Sequence, residues 1–175
     1  HSAHRNLPPS ATTQAPYMSR TPPALGLSHS PQPEDRTEEG LANWIRANRI
    51  DEIECVTPDF AGIARGKVMP ATKFANGAAV RLPTSIFFAT ISGEWAEVPH
   101  KELDSDADMH LRPDYSTARA VPWANDPSLQ VIHDLYDGRG HPSALAPRQV
   151  LRRVVEAYTE KGWRPVVAPE LEFYL

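Results

Sequence analysis

Proline sets the first limit on what this chain can fold into: 18 of its 175 residues are proline, against only 9 glycines. Proline fixes φ and has no amide hydrogen, which bars it from helix interiors and from the middle of a sheet. Pro8, Pro9, Pro16, Pro22, Pro23, Pro31 and Pro33 all fall within the first 36 residues, where the apolar side chains are scattered (Leu7, Met18, Leu25, Leu27). Apolar burial there cannot offset the entropy of ordering the backbone, so residues 1–36 read as a disordered tail. They also lack the apolar core of a secretory signal.

Beyond the tail the chain is globular in kind, with 41% hydrophobic and 23% charged residues. A formal charge of −4 argues against nucleic acid or an anionic membrane as partner, since both call for a basic face. Cys55 is the single cysteine. That excludes an internal disulfide and a cysteine-rich zinc site, and it fits the reducing cytoplasm. The longest apolar run, Ile86 to Ile91, is of strand length and far short of the roughly 18–20 residues that span a bilayer.

Periodicity then gives an α+β order. Asp35 or Thr37 caps a helix over 38–48, with Glu38 and Glu39 in its first turn and Leu41, Trp44, Ile45 and Asn48 on one stripe. Ile53 and Cys55 alternate with Glu52 and Glu54 in a strand that turns at 58–62 and returns through 63–69. A helical turn at 72–75, a strand at 85–91, a loop at 92–107 and strands at 108–112, 118–123 and 129–135 follow. The turn-rich run 137–142 is a break. After it, Ser143 or Ala146 opens a helix with Pro147 in its first turn, a buried stripe of Val150, Leu151, Val154, Val155 and Tyr158, and Gly162 as its stop. Residues 164–175 alternate as a strand that ends mid-element, which reads as a fragment cut at the entrance to a second domain.

That last strand carries the best chemical signal. Glu170 and Glu172 fall on one face, about 6.6 Å apart at Cα. Paired carboxylates at that spacing suit Mg²⁺ or Mn²⁺, which prefer oxygen ligands; a strand with its polar face in water has the same pattern. His133, Asp134 and His141 lack a third ligand at a recognisable spacing and read as surface or turn residues. Cys55 reads as buried packing, and Trp44 and Trp163 as core or edge packing.

Four strings in order resemble the glutamine synthetase family. Ala168-Pro169-Glu170-Leu171-Glu172-Phe173-Tyr174-Leu175 resembles the E-x-E-F-[FY]-L strand that opens the family's catalytic domain. Ser105 to Thr117 is similar to its S-D-M-x-L-x-P-D-x-x-T segment with two extra residues. Asp59 to Lys67 resembles the D-x-x-G-x-x-R-G-K hairpin, and Pro147-Arg148-Gln149-Val150-Leu151 the P-R-x-V-L helix start. The resemblance implies a β-grasp N-terminal domain over 37–142 and the start of a truncated catalytic domain over 143–175. It implies ATP-dependent activation of the glutamate γ-carboxylate as an acyl phosphate, then attack by ammonia or an amine. It further implies two divalent ions per site, with Glu170 on the ion that bridges ATP phosphates and Glu172 on the ion nearer glutamate. Stacked homo-oligomeric rings with sites shared between subunits complete the expectation. The other ligands lie downstream in the family, so the fragment alone should be inactive.

One departure bears on the acceptor. Ammonia-using members carry F-D-G-S-S, whose aspartate helps form the ammonium site, whereas this chain has Phe88-Ala89-Thr90-Ile91-Ser92-Gly93. Ile91-Ser92-Gly93-Glu94-Trp95 is more similar to relatives that use amines, including the γ-glutamylputrescine synthetases. Glu94 and Trp95 are therefore the substrate-binding candidates. Glu94, with Glu97, could serve a cationic amine, with solvated loop acids as the plainer alternative. The resemblance brings Trp95 toward a neighbouring subunit's active site, with exposed packing as the plainer alternative. An ammonia-using glutamine synthetase and a catalytically silent oligomerisation module are the competing readings.

Overall fold

The computed structural model describes residues 30–95 and 106–174. Tail residues 1–29, loop residues 96–105 with Glu97, and Leu175 lie outside the described residues. The elements run in the order helix Glu38–Ala47 (α1), strands Glu52–Pro58 (β1) and Ala64–Pro70 (β2), short helix Ala71–Ala75 (α2), strands Val80–Pro83 (β3), Asp108–Pro113 (β4), Arg119–Ala120 (β5) and Ser128–Tyr136 (β6), and helix Pro147–Glu160 (α3). Among the described residues the fold is α+β around one mixed sheet, ordered β2-β1-β6-β4-β3, with β5 also on β6.

Strand β6 is the spine. Residues 128–132 run parallel to β1 along one edge, while the other edge takes β5 and then β4, both antiparallel. Its alternation separates two faces. Leu129, Val131, His133 and Leu135 are buried, on the side of Ile53 and Cys55 of β1. The apolar members of that set form one core with Met109 and Leu111 of β4 and Leu41 and Ile45 of α1. Gln130, Asp134 and Tyr136 take the opposite face.

Helix α1 follows its sequence signals. Thr37 Oγ1 accepts the Gly40 N–H at 3.1 Å, and Glu38 and Glu39 sit at the positive end of the dipole. Leu41 and Ile45 are buried and Trp44 is half-buried against the core, but Asn48 is exposed and donates its side-chain amide to Trp44 O. The β1–β2 hairpin and the α2 turn also form where the pattern puts them.

Several expectations are corrected. The apolar run at 85–91 is not a strand but a 3₁₀ turn, Thr84–Phe88, followed by a bridge from Ala89 to Trp95. Distant groups fix that turn: Asp106 Oδ1 accepts the Ser85 N–H at 2.9 Å, and Thr84 donates both its N–H and its hydroxyl to Ala107 O. The strand beside β4 is instead the short β3. The expected strand at 118–123 shrinks to β5, because Pro122 has no N–H to give a ladder. Residues 30–36, counted with the tail, are docked: Pro31 is fully buried, Arg36 Nε donates to Pro31 O, and Ser30 Oγ accepts the Ala120 N–H.

The corrections at the far end concern burial. α3 forms over the expected span, with Pro147 at its first turn and Gly162 in the left-handed region (φ +72°) after its end. Its stripe of Val150, Leu151, Val154, Val155 and Tyr158 is exposed, however, and so is Trp163, whose ring leans on Tyr158. Residues 163–174 are exposed and form no strand, because alternation becomes a strand only with a hydrogen-bonding neighbour, and none is present among the described residues. Among those residues no helix is long and apolar enough to cross a membrane.

Candidate functional site

The hairpin turn and the loop after the 3₁₀ turn make one rigid unit. Asp59 is buried beneath the turn. Its Oδ1 accepts the Ala61 and Ile63 N–H groups, each at 2.9 Å, and its Oδ2 accepts Arg65 Nε at 2.7 Å. Burial works to raise the Asp59 pKa, but the Arg65 hydrogen bond, the two backbone donors and the Arg65 charge outweigh it and hold the carboxyl below its ordinary range. Arg65 then reaches across with Nη2 to Thr90 O at 3.0 Å. The next residue must be glycine, since a Cβ at Gly66 would lie 2.0 Å from the Cys55 carbonyl oxygen.

Thr90 is thus the anchored end of a tight turn. Its N–H donates to Glu94 O at 2.7 Å, and its hydroxyl accepts the Glu94 N–H at 3.1 Å. Phe60 stacks on Phe87 with ring centroids 5.3 Å apart and meets Phe88 edge-on. Glu94 and Trp95 therefore stand adjacent at the exposed rim of a pinned turn, with Trp95 63% exposed and Ile91 exposed in the same turn. Ala89, the departure point of the sequence reading, forms the bridge opposite Trp95.

Glu170 and Glu172 are both exposed on the unpaired segment after α3. Among the described residues no group of three or more His, Cys, Asp or Glu side chains is placed to hold a metal. Two carboxylates fit a hard cation in kind, but such an ion takes about six oxygen ligands, so the set here is incomplete.

The remaining candidates are structural. His133 and Asp134 are buried rather than on the surface, because β6 is the central strand. His133 Nδ1 is 2.9 Å from Val131 O and the ring meets Phe74 edge-on. Burial lowers its pKa, against the opposing effects of Val131 and Asp134. His141 lies in an exposed turn 3.4 Å from Asp137. Cys55 is buried, and desolvation pushes its thiol up to about 12, which leaves no reactive thiolate.

Sequence reasoning missed that the motif strings are paired in space. Asp59 and Arg65 belong to one string and hold each other. Asp114 and Arg148, from two different strings, meet at 2.6 Å, and Arg148 also bonds Asp134 at 3.0 Å. The signal was an acid and an arginine recurring inside strings read only for their resemblance.

Comparison with known proteins agrees with this placement. The family described as glutamine synthetase, catalytic domain, matches residues 144–175, the stretch that carries α3, Glu170 and Glu172. The chain belongs to the glutamine synthetase family. Within that family it is similar to the glutamate–isopropylamine ligase of Pseudomonas sp, 31% identical over 140 residues, covering 77% of this chain and 30% of that one. It is similar also to gamma-glutamylethanolamide synthetase GlnA4 of Streptomyces coelicolor, 29% identical over 175 residues and covering 95% and 34%. Type-1 glutamine synthetase 2 of Dictyostelium discoideum is 30% identical over 141 residues, covering 78% and 27%. The chain therefore spans about a third of the length of these relatives. Among solved structures, one described as a novel glutamine synthase homolog aligns with TM-score 0.55 and 26% identity over 64% of this chain and 27% of that one.

Proposed function

We propose that this chain supplies the opening part of an ATP-dependent ligase that joins the γ-carboxylate of glutamate to an amine through a γ-glutamyl phosphate. The observation that carries the reading is the family match over 144–175, which includes Glu170 and Glu172. These two carboxylates would be first ligands for Mg²⁺ or Mn²⁺, completed by groups from other parts of the protein. When bound, such ions neutralise the phosphate charge that develops during transfer. The sheet, with β1 and β6 parallel at its centre and α1 on its core, supports reading 37–142 as a β-grasp domain and 143–175 as the entry to the catalytic domain.

An amine acceptor such as putrescine is favoured because Ala89 has no carboxylate to build a compact ammonium cage. The anchored Glu94 and exposed Trp95 offer instead a charge and an aromatic face, the combination that recognises a cationic alkylamine. In a homo-oligomeric ring that face would meet a neighbouring subunit's site. Relatives named glutamine synthetase favour ammonia as a second reading. The test is phosphate release by the full-length protein with ATP, glutamate, Mg²⁺ and a panel of ammonia, putrescine and other amines. Release that needs both glutamate and an amine is the expected result. Ammonia as best acceptor overturns the amine assignment, and no release from an assembled oligomer points to a silent structural relative.

A further inference from the structure

Helix α3 is fastened to the sheet by charge. Among the described residues its apolar stripe is exposed, and the only side chain it buries is Gln149, whose Nε2 finds no hydrogen-bond partner there. Arg148, by contrast, spans two carboxylates from two other elements. Its Nε lies 3.0 Å from Asp134 Oδ1 on β6, and its Nη2 lies 2.6 Å from Asp114 Oδ2 just after β4. One turn further along, Arg152 Nη2 is 2.6 Å from the second Asp134 oxygen. Asp114 is itself oriented by the Ser116 N–H and hydroxyl. A planar guanidinium that engages one acid on β6 and another just after β4 fixes both the slide and the rotation of the helix, which a lysine point charge cannot do.

We propose that Arg148, aided by Arg152, is a positioning residue. Its bridge to Asp114 and Asp134 sets the orientation of α3 on the sheet, and through Gly162 the course of the chain toward Glu170 and Glu172. The statement about α3 stands alone, while its reach to the two glutamates rests on the metal-ligand reading above. Because the arginines are partly solvated, the joint weakens in salt, whereas the apolar core on the other face does not.

Hydrogen exchange on the full-length protein, read together with the Mg²⁺ dependence of phosphate release, tests this. In Arg148→Ala, exchange across 147–160 should rise about tenfold while β6 stays protected, with smaller rises in Arg148→Lys and Arg152→Ala. The apparent KM for Mg²⁺ should rise several-fold with kcat less affected, and lysine should restore part of it. If Arg148→Ala fails to fold, Arg148→Lys and Arg152→Ala carry the test. Wild-type exchange rates in α3 of these variants overturn the joint. A loosened helix with unchanged Mg²⁺ dependence overturns its reach to Glu170 and Glu172. A wild-type protein that releases no phosphate with any acceptor sinks the ligase reading and leaves the exchange result standing.

Discussion

On one side of β6, Leu129, Val131 and Leu135 are wholly buried among Ile53, Cys55, Leu41 and Ile45. On the other side, Gln130 donates to Glu54 at 2.8 Å, Arg112 lies 3.9 Å over the Tyr136 ring, and Asp134 takes Arg148 and Arg152. The same strand thus bonds α1 through non-directional apolar contact and α3 through directional charge. Apolar contact supplies stability and tolerates small shifts; directional bonds contribute less net energy but specify one geometry. The sheet keeps α1 by burying it and holds α3 at one defined angle.

Breaking the apolar side should cost most. Leu129→Ala should lose about 2–5 kcal/mol in chemical denaturation, the usual range for a fully buried leucine. A smaller loss, about 1–3 kcal/mol, is expected for Asp59→Ala, which leaves two backbone donors and the Arg65 Nε–H without an acceptor. Gln130→Ala on the polar side should change stability by less than about 1 kcal/mol.

Acid sharpens the contrast. His133 titrates below its ordinary 6.5, so the folded state favours the neutral ring. Its contribution is complete above 6.5 and is lost as pH falls through the lowered folded value. Asp59 and Asp114 are held below 3.8, so their contributions are present above 3.8 and vanish only as pH falls through still lower values. Denaturation as a function of pH should therefore show an early loss that His133→Gln abolishes, followed by a later one that it leaves in place. A single loss below about pH 4, identical in both proteins, would contradict this order.

What was legible in the sequence follows from whether the deciding partner was local. Thr37 caps three residues away, and the alternation of Ile53 and Cys55 meets its partners Met69 and Lys67 across a single turn that the sequence marks, so α1 and the β1–β2 pair could be read directly. The turn at 84–88 is set by Asp106 and Ala107, about twenty residues downstream, and a short apolar run does not reveal that by period alone. The stripe on α3 had the right period, but period reports which residues share a face and not what covers it. Glu170 and Glu172 stand two residues apart in the sequence, while the strand expected to set them on one face needs a neighbour. His133 and Asp134 were misplaced because their burial comes from the rank of β6 within the sheet, a property of strand order.

The grip of Arg65 on Thr90 has a consequence for how such a protein changes over time. It is a bond to a main-chain carbonyl, which any residue at position 90 provides. Asp59 likewise holds the hairpin through the N–H groups of Ala61 and Ile63. The bracket is thus blind to the exposed side chains of Ile91 and Trp95, so those two positions of the rim can be rewritten by substitution while the frame stays put. Ser92 and Glu94, by contrast, add side-chain bonds of their own within the turn. Novelty at the edge and conservatism beneath it are separable at Ile91 and Trp95, because the main-chain atoms that Arg65 and Asp59 hold are not the side-chain atoms presented there.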